Sequence, residues 1–477
     1  MSNVFRNIPS VNELLDSPPL RQLVQRANRN AVVSGVRRFL DNMRTEIQTA
    51  ADIKVPTPGE LAERIANWIA TEDTPNLRPV INATGILLHT GLGRAPLAES
   101  AIQAIGDVAR GYSSLEVDVR TGERSHRIND AAQWLAKVTG AEAATVVNNN
   151  AGATLLTLAA LARGREVIVS RGQLVEIGGS YRLPDVMELS GAKLREVGTT
   201  NKTRSDDYRA AIGPETAALM RVHPSNYAIV GFAEQAALPE LVALGAKHQL
   251  PVIDDLGSGA MEDLADYGIS GEPLVAGSLR AGADVVLFSG DKLLGGPQCG
   301  IILGRKPLIQ KISQHPLSRA LRVGKLTLAA LLETLRLHQD RETAERSLPL
   351  LSLLSTSVAN LQQRVQRLAP QLAACPAIKS AEPVESQAYL GGGSVPSQGL
   401  ASWAVALQPA RGSVDDLAAS LRTGTPSVFG RIYKDRLLLD LRAVFPRDDM
   451  RLVEAVQQIQ SRSSEGYESG ATEDGGT

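Results

Sequence analysis

Cysteine, aromatic residues and net charge are all scarce in this chain of 477 residues, and each scarcity excludes something. Two cysteines, Cys299 and Cys375, permit no disulfide framework and fit a reducing cytosol. Aromatics are 4% of the residues, so base stacking on aromatic platforms is an unsuitable nucleic-acid mode. A net charge of −1 gives no global basic field for a polyanion. Any nucleic-acid contact must therefore be a local patch or arise by assembly of subunits. No apolar run approaches membrane-spanning length, and the amino terminus lacks a basic-then-apolar signal. No His/Cys cluster has metal-ligand spacing. The expectation is a cytoplasmic protein with an aliphatic core, long enough for two or three domains.

What is present centres on Ser289-Gly290-Asp291-Lys292-Leu293-Leu294-Gly295-Gly296-Pro297-Gln298. The apolar runs Asp284-Val285-Val286-Leu287-Phe288 and Cys299-Gly300-Ile301-Ile302-Leu303 flank it and read as buried strands. A lysine between two buried strands is out of place unless its amine is used. Burial depresses the pKa of such an amine and makes it a nucleophile for carbonyl groups. The aldehyde of pyridoxal phosphate (PLP), held as a Schiff base, is the carbonyl that best fits.

Such a cofactor calls for an acid at its ring nitrogen and a cradle for its phosphate. Leu250-Pro251-Val252-Ile253 reads as a strand ending in Asp254-Asp255-Leu256-Gly257-Ser258-Gly259. Carboxyl ends of strands are where open α/β sheets contact ligands. An isolated Asp pair reads as a turn cap. Ahead of Lys292, with room between for a helix and a strand, it reads as the acid. Asp255 is chosen because it adjoins the glycine turn; Asp254 stays open. Ala144-Thr145-Val146-Val147 runs into Asn148-Asn149-Asn150-Ala151-Gly152, followed by a helical pattern. Free N–H groups at that helix start, around Asn149, Asn150 and Ala151, make a phosphate cradle, or an ordinary N-cap. Ser289 is the natural further phosphate ligand. His223, followed by Ser225 and Asn226 at a strand end, is placed to touch the cofactor or is a satisfied core histidine; His89 and His126 are equally open.

Longer strings carry a resemblance to a known family. Arg78-Pro79-Val80-Ile81-Asn82, Leu88-His89-Thr90-Gly91-Leu92-Gly93-Arg94-Ala95, Ser170-Arg171-Gly172-Gln173-Leu174-Val175-Glu176-Ile177-Gly178-Gly179, Glu196-Val197-Gly198-Thr199-Thr200-Asn201, the Lys292 string and His315-Pro316-Leu317-Ser318-Arg319-Ala320-Leu321-Arg322 all resemble bacterial selenocysteine synthase. That family is L-seryl-tRNA(Sec) selenium transferase. The likeness runs from about residue 11 to about residue 442. Gln173 departs from it, standing where an acid is expected, and the loop of residues 122–127 follows it loosely, leaving Arg124 and Arg127 as alternatives.

The resemblance implies an α/β fold-type I PLP-dependent transferase: a mostly parallel sheet with helices on both faces, a small helical N-terminal domain and a smaller α+β C-terminal domain. The boundaries read as 1–76 for tRNA binding, 77–325 for PLP, 326–460 for the small domain and 461–477 for a disordered tail rich in Ser, Glu and Gly. Helices are expected at residues 11–15, 20–43 and 61–70, the second made basic by Arg21, Arg26, Arg29, Arg37, Arg38 and Arg44. That basic face is a tRNA contact under the resemblance and a solvated surface otherwise.

The implied reaction converts seryl-tRNA(Sec) to selenocysteyl-tRNA(Sec) through a PLP-bound aminoacrylyl-tRNA, with Lys292 and Asp255 catalytic. Arg94, Arg127, Arg319 and Arg322 would hold the selenium donor, selenophosphate. Arg442 would be a leftover of the position that binds a free α-carboxylate in related folds. A homo-oligomer, a ring-shaped decamer with shared sites, is implied as well. Two rivals stand: a PLP lyase acting on a small amino acid or sugar acid, and a DNA-binding regulator on a PLP fold. The second needs a helix-turn-helix, and no tight glycine turn between short helices supports one.

Overall fold

The computed structural model describes residues 8–26, 28–49, 56–72, 77–179, 181–391 and 394–459. The tail expected to be disordered lies outside the described residues. The chain divides into two compact units, Met1–Pro79 and Val80–Thr477.

The first unit is helical: Val11–Leu15, Pro18–Arg26, Arg29–Thr49 and Pro58–Glu72. Ser10 and Glu13 form a reciprocal capping box that starts the first helix. The single helix expected over residues 20–43 is two helices. The Asn28 side chain accepts from the Asn30 backbone N–H at 2.9 Å, a local bond that competes with helix continuation. Leu14, Leu20, Val32, Val36, Leu40, Leu61, Ile65 and Ile69 form the core. Gly35 lets the last two helices touch, since a Cβ there would sit 2.6 Å from Ile69 Cγ1. Arg21, Arg29, Arg37, Arg38 and Arg44 are exposed. Arg21 pairs with Asp16, Arg44 with Asp41, and Arg38 lies over the Trp68 ring.

The second unit is built on a seven-stranded sheet. Its strands in chain order are β1 (Ala143–Val147), β2 (Glu166–Ser170), β3 (Lys193–Val197), β4 (Thr216–Val222), β5 (Val252–Gly257), β6 (Val285–Ser289) and β7 (Gly300–Gly304). In space they run β1-β7-β6-β5-β4-β2-β3. Only β7 pairs antiparallel, with β1 and β6; the other pairings are parallel. Successive side chains on a strand face opposite ways. Thus Val286 and Phe288 enter one core with Leu135, Leu241 and Leu331, while Val285 and Leu287 enter another with Leu156, Met187 and Ile309. Burial on both faces explains the near-continuous apolar strands.

A five-stranded sheet forms the smaller α+β part: Arg431–Tyr433, Arg436–Asp440, Ser394–Pro409, Ile378–Gly391 and, from far upstream, Ile86–Leu88. Val80–Asn82 likewise pairs with Ser427–Phe429. Where a long helix was expected after residue 326, Lys325–Leu337 ends early and short helices precede Val358–Ala373.

Candidate active site

The carboxyl ends of β1, β4, β5 and β6 meet at one rim of the large sheet. There they enclose a cavity of about 210 Å³. Arg94, Asn149, Asn150, Ala151, His223, Asp255, Ser289 and Lys292 all line it, so most of the side chains singled out in the sequence come together.

Lys292 follows β6 on a turn tied at several points. Gly296 N–H donates to the Gly290 carbonyl, Gly295 N–H to the Lys292 carbonyl, and Leu293 N–H to the Ser258 carbonyl. The lysine is 6% exposed. Burial, then the nearby Arg94 cation, hold its amine below the usual lysine range; Asp255, Asp291 and Glu272 pull the other way.

Asp255 faces this amine from β5. It accepts from Asn150 Nδ2 at 2.9 Å, Thr154 Oγ1 at 2.9 Å and its near neighbour Gly257 N–H at 3.1 Å. Burial pushes its carboxyl up, and these donors with Lys292 oppose the push. Asp254 points to the other side of the sheet. There Arg221 grips it with two bonds, Nε at 2.6 Å and Nη2 at 2.8 Å.

The helix Asn150–Ala162 starts at the cavity wall, and Asn149 Oδ1 caps it by accepting from Gly152 N–H at 2.8 Å. Gly300 makes this approach possible. A Cβ there would sit 2.1 Å from the Asn149 carbonyl oxygen, so no larger residue fits the existing backbone. Ser289 Oγ donates to Asp291 Oδ1 at 2.8 Å, and Asp291 Oδ2 accepts from Arg94 Nη1 at 2.7 Å. Arg94 itself has φ of 61°, a left-handed conformation uncommon outside glycine.

Other expected residues lie elsewhere. Asn226 does not line the cavity; its Nδ2 donates to the Glu176 carbonyl at 2.8 Å. Arg127, Arg319 and Arg322 line a second cavity of about 850 Å³ that shares no lining residue with the first. His126 and Arg124 line it too. Arg127 is the more enclosed of the two candidate arginines, bonded to Glu116 and to the Val323 carbonyl. Arg442 does not line the cavity. It sits in a buried turn, not on a strand, and donates to the carbonyls of Leu353, Leu354, Thr356 and Ala401.

Sequence reasoning missed Thr154, Tyr181 and Asp291. Tyr181 lines the cavity, and burial with the Asp255 charge pushes its hydroxyl far up. Asp291 was in plain view beside Lys292, but its bonds to Ser289 and Arg94 need the fold. Gln173, the amide in place of an acid, is buried and accepts from Val222 N–H at 3.0 Å. Among the described residues no His, Cys, Asp and Glu group is arranged to hold a metal ion. Among the described residues no helix is long and apolar enough to cross a membrane.

Comparisons with known proteins agree with this geometry. The sheet order, the buried lysine and the facing carboxylate define a fold-type I enzyme dependent on pyridoxal phosphate. A solved structure of D-glucosaminate-6-phosphate ammonia-lyase matches at a TM-score of 0.57, with 22% identity, over 82% of this chain and 100% of that one. The family model for L-seryl-tRNA selenium transferase matches residues 80–445, and that for the selenocysteine synthase N terminus matches residues 5–44. The L-seryl-tRNA(Sec) selenium transferase of Moorella thermoacetica is 46% identical over 470 residues, covering 98% of this chain and 99% of that protein. That of Geobacter sulfurreducens is 44% identical over 463 residues, covering 96% and 100%. The chain belongs to the L-seryl-tRNA selenium transferase family.

The residues present fit the cofactor. An amine and a carboxylate, both nearly inaccessible, share one cavity with a helix N-terminus and a serine hydroxyl. Among the described residues Asn150 Oδ1 has no hydrogen-bond partner and is buried there, as expected of a wall completed by a ligand.

Proposed function

We propose that this chain converts L-seryl-tRNA(Sec) to L-selenocysteyl-tRNA(Sec) with selenophosphate as the selenium donor. The observation that carries the reading is the buried pair Lys292 and Asp255 in one cavity, in a chain of this family. Lys292 and Asp255 would hold PLP at its aldehyde and ring nitrogen, and Asn149, Asn150, Ala151 and Ser289 would hold its phosphate. Bound there, the cofactor supplies an aldehyde for the amine and a ring that draws electrons from Cα of an attached amino acid.

Lys292 contributes an amine that burial holds below the usual lysine range, able to attack a carbonyl and later to take the Cα proton of the seryl group. Asp255, its carboxylate aimed by Asn150 and Thr154, would hold a proton on the ring nitrogen when the cofactor is bound. His223 bounds the cavity from the end of β4. The β-hydroxyl would leave as water, selenium of the donor would bond the β-carbon, and water would cleave the selenium–phosphorus bond to release phosphate. Arg94, together with Arg127, Arg319 and Arg322, supplies the cations a small multiply charged anion requires.

The two arginine groups line separate cavities within one chain. A ring-shaped decamer with sites shared between subunits would account for that separation. Residues 1–76 form the tRNA-binding domain in this reading, 77–325 the PLP domain and 326–460 the small domain. The lyase alternative needs an arginine for a free α-carboxylate, and Arg442 is committed to carbonyls instead. The test is selenium incorporation into purified seryl-tRNA(Sec), run beside an absorbance scan for the lysine-bound cofactor. Cofactor binding without selenium transfer, but with release of water or ammonia from small amino acids, would favour the lyase.

A further inference from the structure

One carboxylate near the cavity has no role so far. Glu272 lies in the loop after β5, and its side chain is 2% exposed. Its Oε1 accepts from Ser258 Oγ, in the glycine turn that follows Asp255. Its Oε2 is buried and has no hydrogen-bond partner among the described residues. That orphan oxygen faces His223 Nε2 at 3.8 Å, and His223 lines the cavity. A buried carboxylate oxygen without a donor is costly, so an imidazole N–H is the natural group to satisfy it. The His223 backbone is fixed as well, its N–H donating to the Asp255 carbonyl at 2.8 Å.

We infer that Glu272 is a positioning residue for His223: a small ring movement from the 3.8 Å separation lets Oε2 accept from Nε2–H, and the carboxylate thereby favours one tautomer and ring angle and sets which nitrogen the imidazole presents to the cavity. A carboxylate behind a histidine plays this part in other sites, where the far partner decides which ring nitrogen carries the proton. Ser258 holds the carboxylate from behind. The Asp255 strand, the Ser258 turn and the histidine thereby form one connected unit. The other charged or titratable groups around the cavity are Asp255 on β5, Asp291 and Lys292 after β6, Arg94, and Tyr181. After Asp255 and Asp291, Glu272 also opposes the lowering of the Lys292 amine.

This inference rests on the cavity being the cofactor site, so its first readout avoids the cofactor. In the full chain without PLP, ring-nitrogen NMR should show His223 with its proton on Nε2. Glu272→Gln keeps the shape and an acceptor for Ser258, but it turns an amide N–H₂ toward His223. The ring should then change to the Nδ1–H tautomer. PLP affinity should fall about tenfold, the size of effect that loss of such a partner has on bound metals. In a His223→Phe background, Glu272→Gln should leave PLP affinity unchanged, and Glu272→Asp should restore part of the loss in the native background. An unchanged tautomer in Glu272→Gln, or an equal affinity loss with and without His223, would overturn the assignment. Failure of Lys292 to capture PLP would overturn the cofactor site while leaving the tautomer result to stand on its own.

Discussion

Asp254 and Asp255 are neighbours in the chain and face opposite sides of the same sheet. Asp254 is locked to Arg221, while Asp255 receives Asn150 and Thr154 at the cavity. The pleat alone separates a structural acid from a chemical one.

Substitution should separate them too. Asp255→Asn should fold and still take up PLP but turn over at least a hundredfold more slowly, a barrier change of about 3 kcal/mol. Asp254→Asn should leave chemistry nearly intact. It should lower stability by about 2 kcal/mol, because Arg221 loses its bidentate partner. Steady-state rates and denaturant unfolding on both variants decide the matter; a reversed pattern would exchange the two roles.

Lys292→Met should abolish turnover and remove the visible absorbance that borohydride otherwise fixes at this position. The same change should raise the stability of the cofactor-free chain at neutral pH by on the order of 1 kcal/mol, since a buried amine is replaced by an apolar chain of similar length.

The depressed amine pKa also predicts a pH dependence, with a definite sign. The folded chain binds the Lys292 proton less tightly than the unfolded chain, whose ordinary value is 10.5. Stability without cofactor should therefore rise as pH climbs from the depressed value towards 10.5, and Lys292→Met should lack that rise. Arg94→Gln removes a cation that helps depress the amine, so the alkaline shift in PLP capture rate should move to higher pH. Thermal unfolding and capture rates across a pH series measure both.

Gly300→Ala should be poorly tolerated for a reason unconnected with chemistry. The added methyl meets the Asn149 carbonyl, and relief requires the start of the helix Asn150–Ala162 to move. Weaker PLP binding together with a lower melting temperature is the expected outcome; an unaffected affinity would mean that the helix start does not hold phosphate.

Charge reversal at Arg29 and Arg37 should weaken seryl-tRNA(Sec) binding, flatten its dependence on salt and leave PLP uptake unchanged. Filter retention of tRNA over a salt series is the measurement. Native affinity in the doubly reversed chain would remove this face from the tRNA contact.

Much of the large sheet was legible because its strands are apolar on both faces and its ligand groups sit at strand ends. Lys292, Asp255 and Asn150 could be read that way. The pairing of Ile86–Leu88 with residues of the far end of the chain could not, because a three-residue strand carries no periodicity worth the name. The setting of Arg442 was hidden for a related reason: local sequence shows a charge, but only tertiary structure shows the four carbonyls it donates to. Arg127, Arg319 and Arg322 were grouped with Arg94 by chemistry, and the fold of a single chain divides them. Asp291 and Thr154 escaped notice because their partners are distant in sequence.

The pairing of Val80 with Ser427 and of Leu88 with Gly391 sets an order of events during synthesis. The strands leading to Arg94 find their sheet partners in Tyr389, Gly391 and residues 427–429, and contacts of such span close late in folding. The lysine, the aspartate and the helix start can assemble earlier, on the large sheet alone. The segment that brings Arg94 to the cavity is thus held at one end by the small sheet and at the other by Asp291.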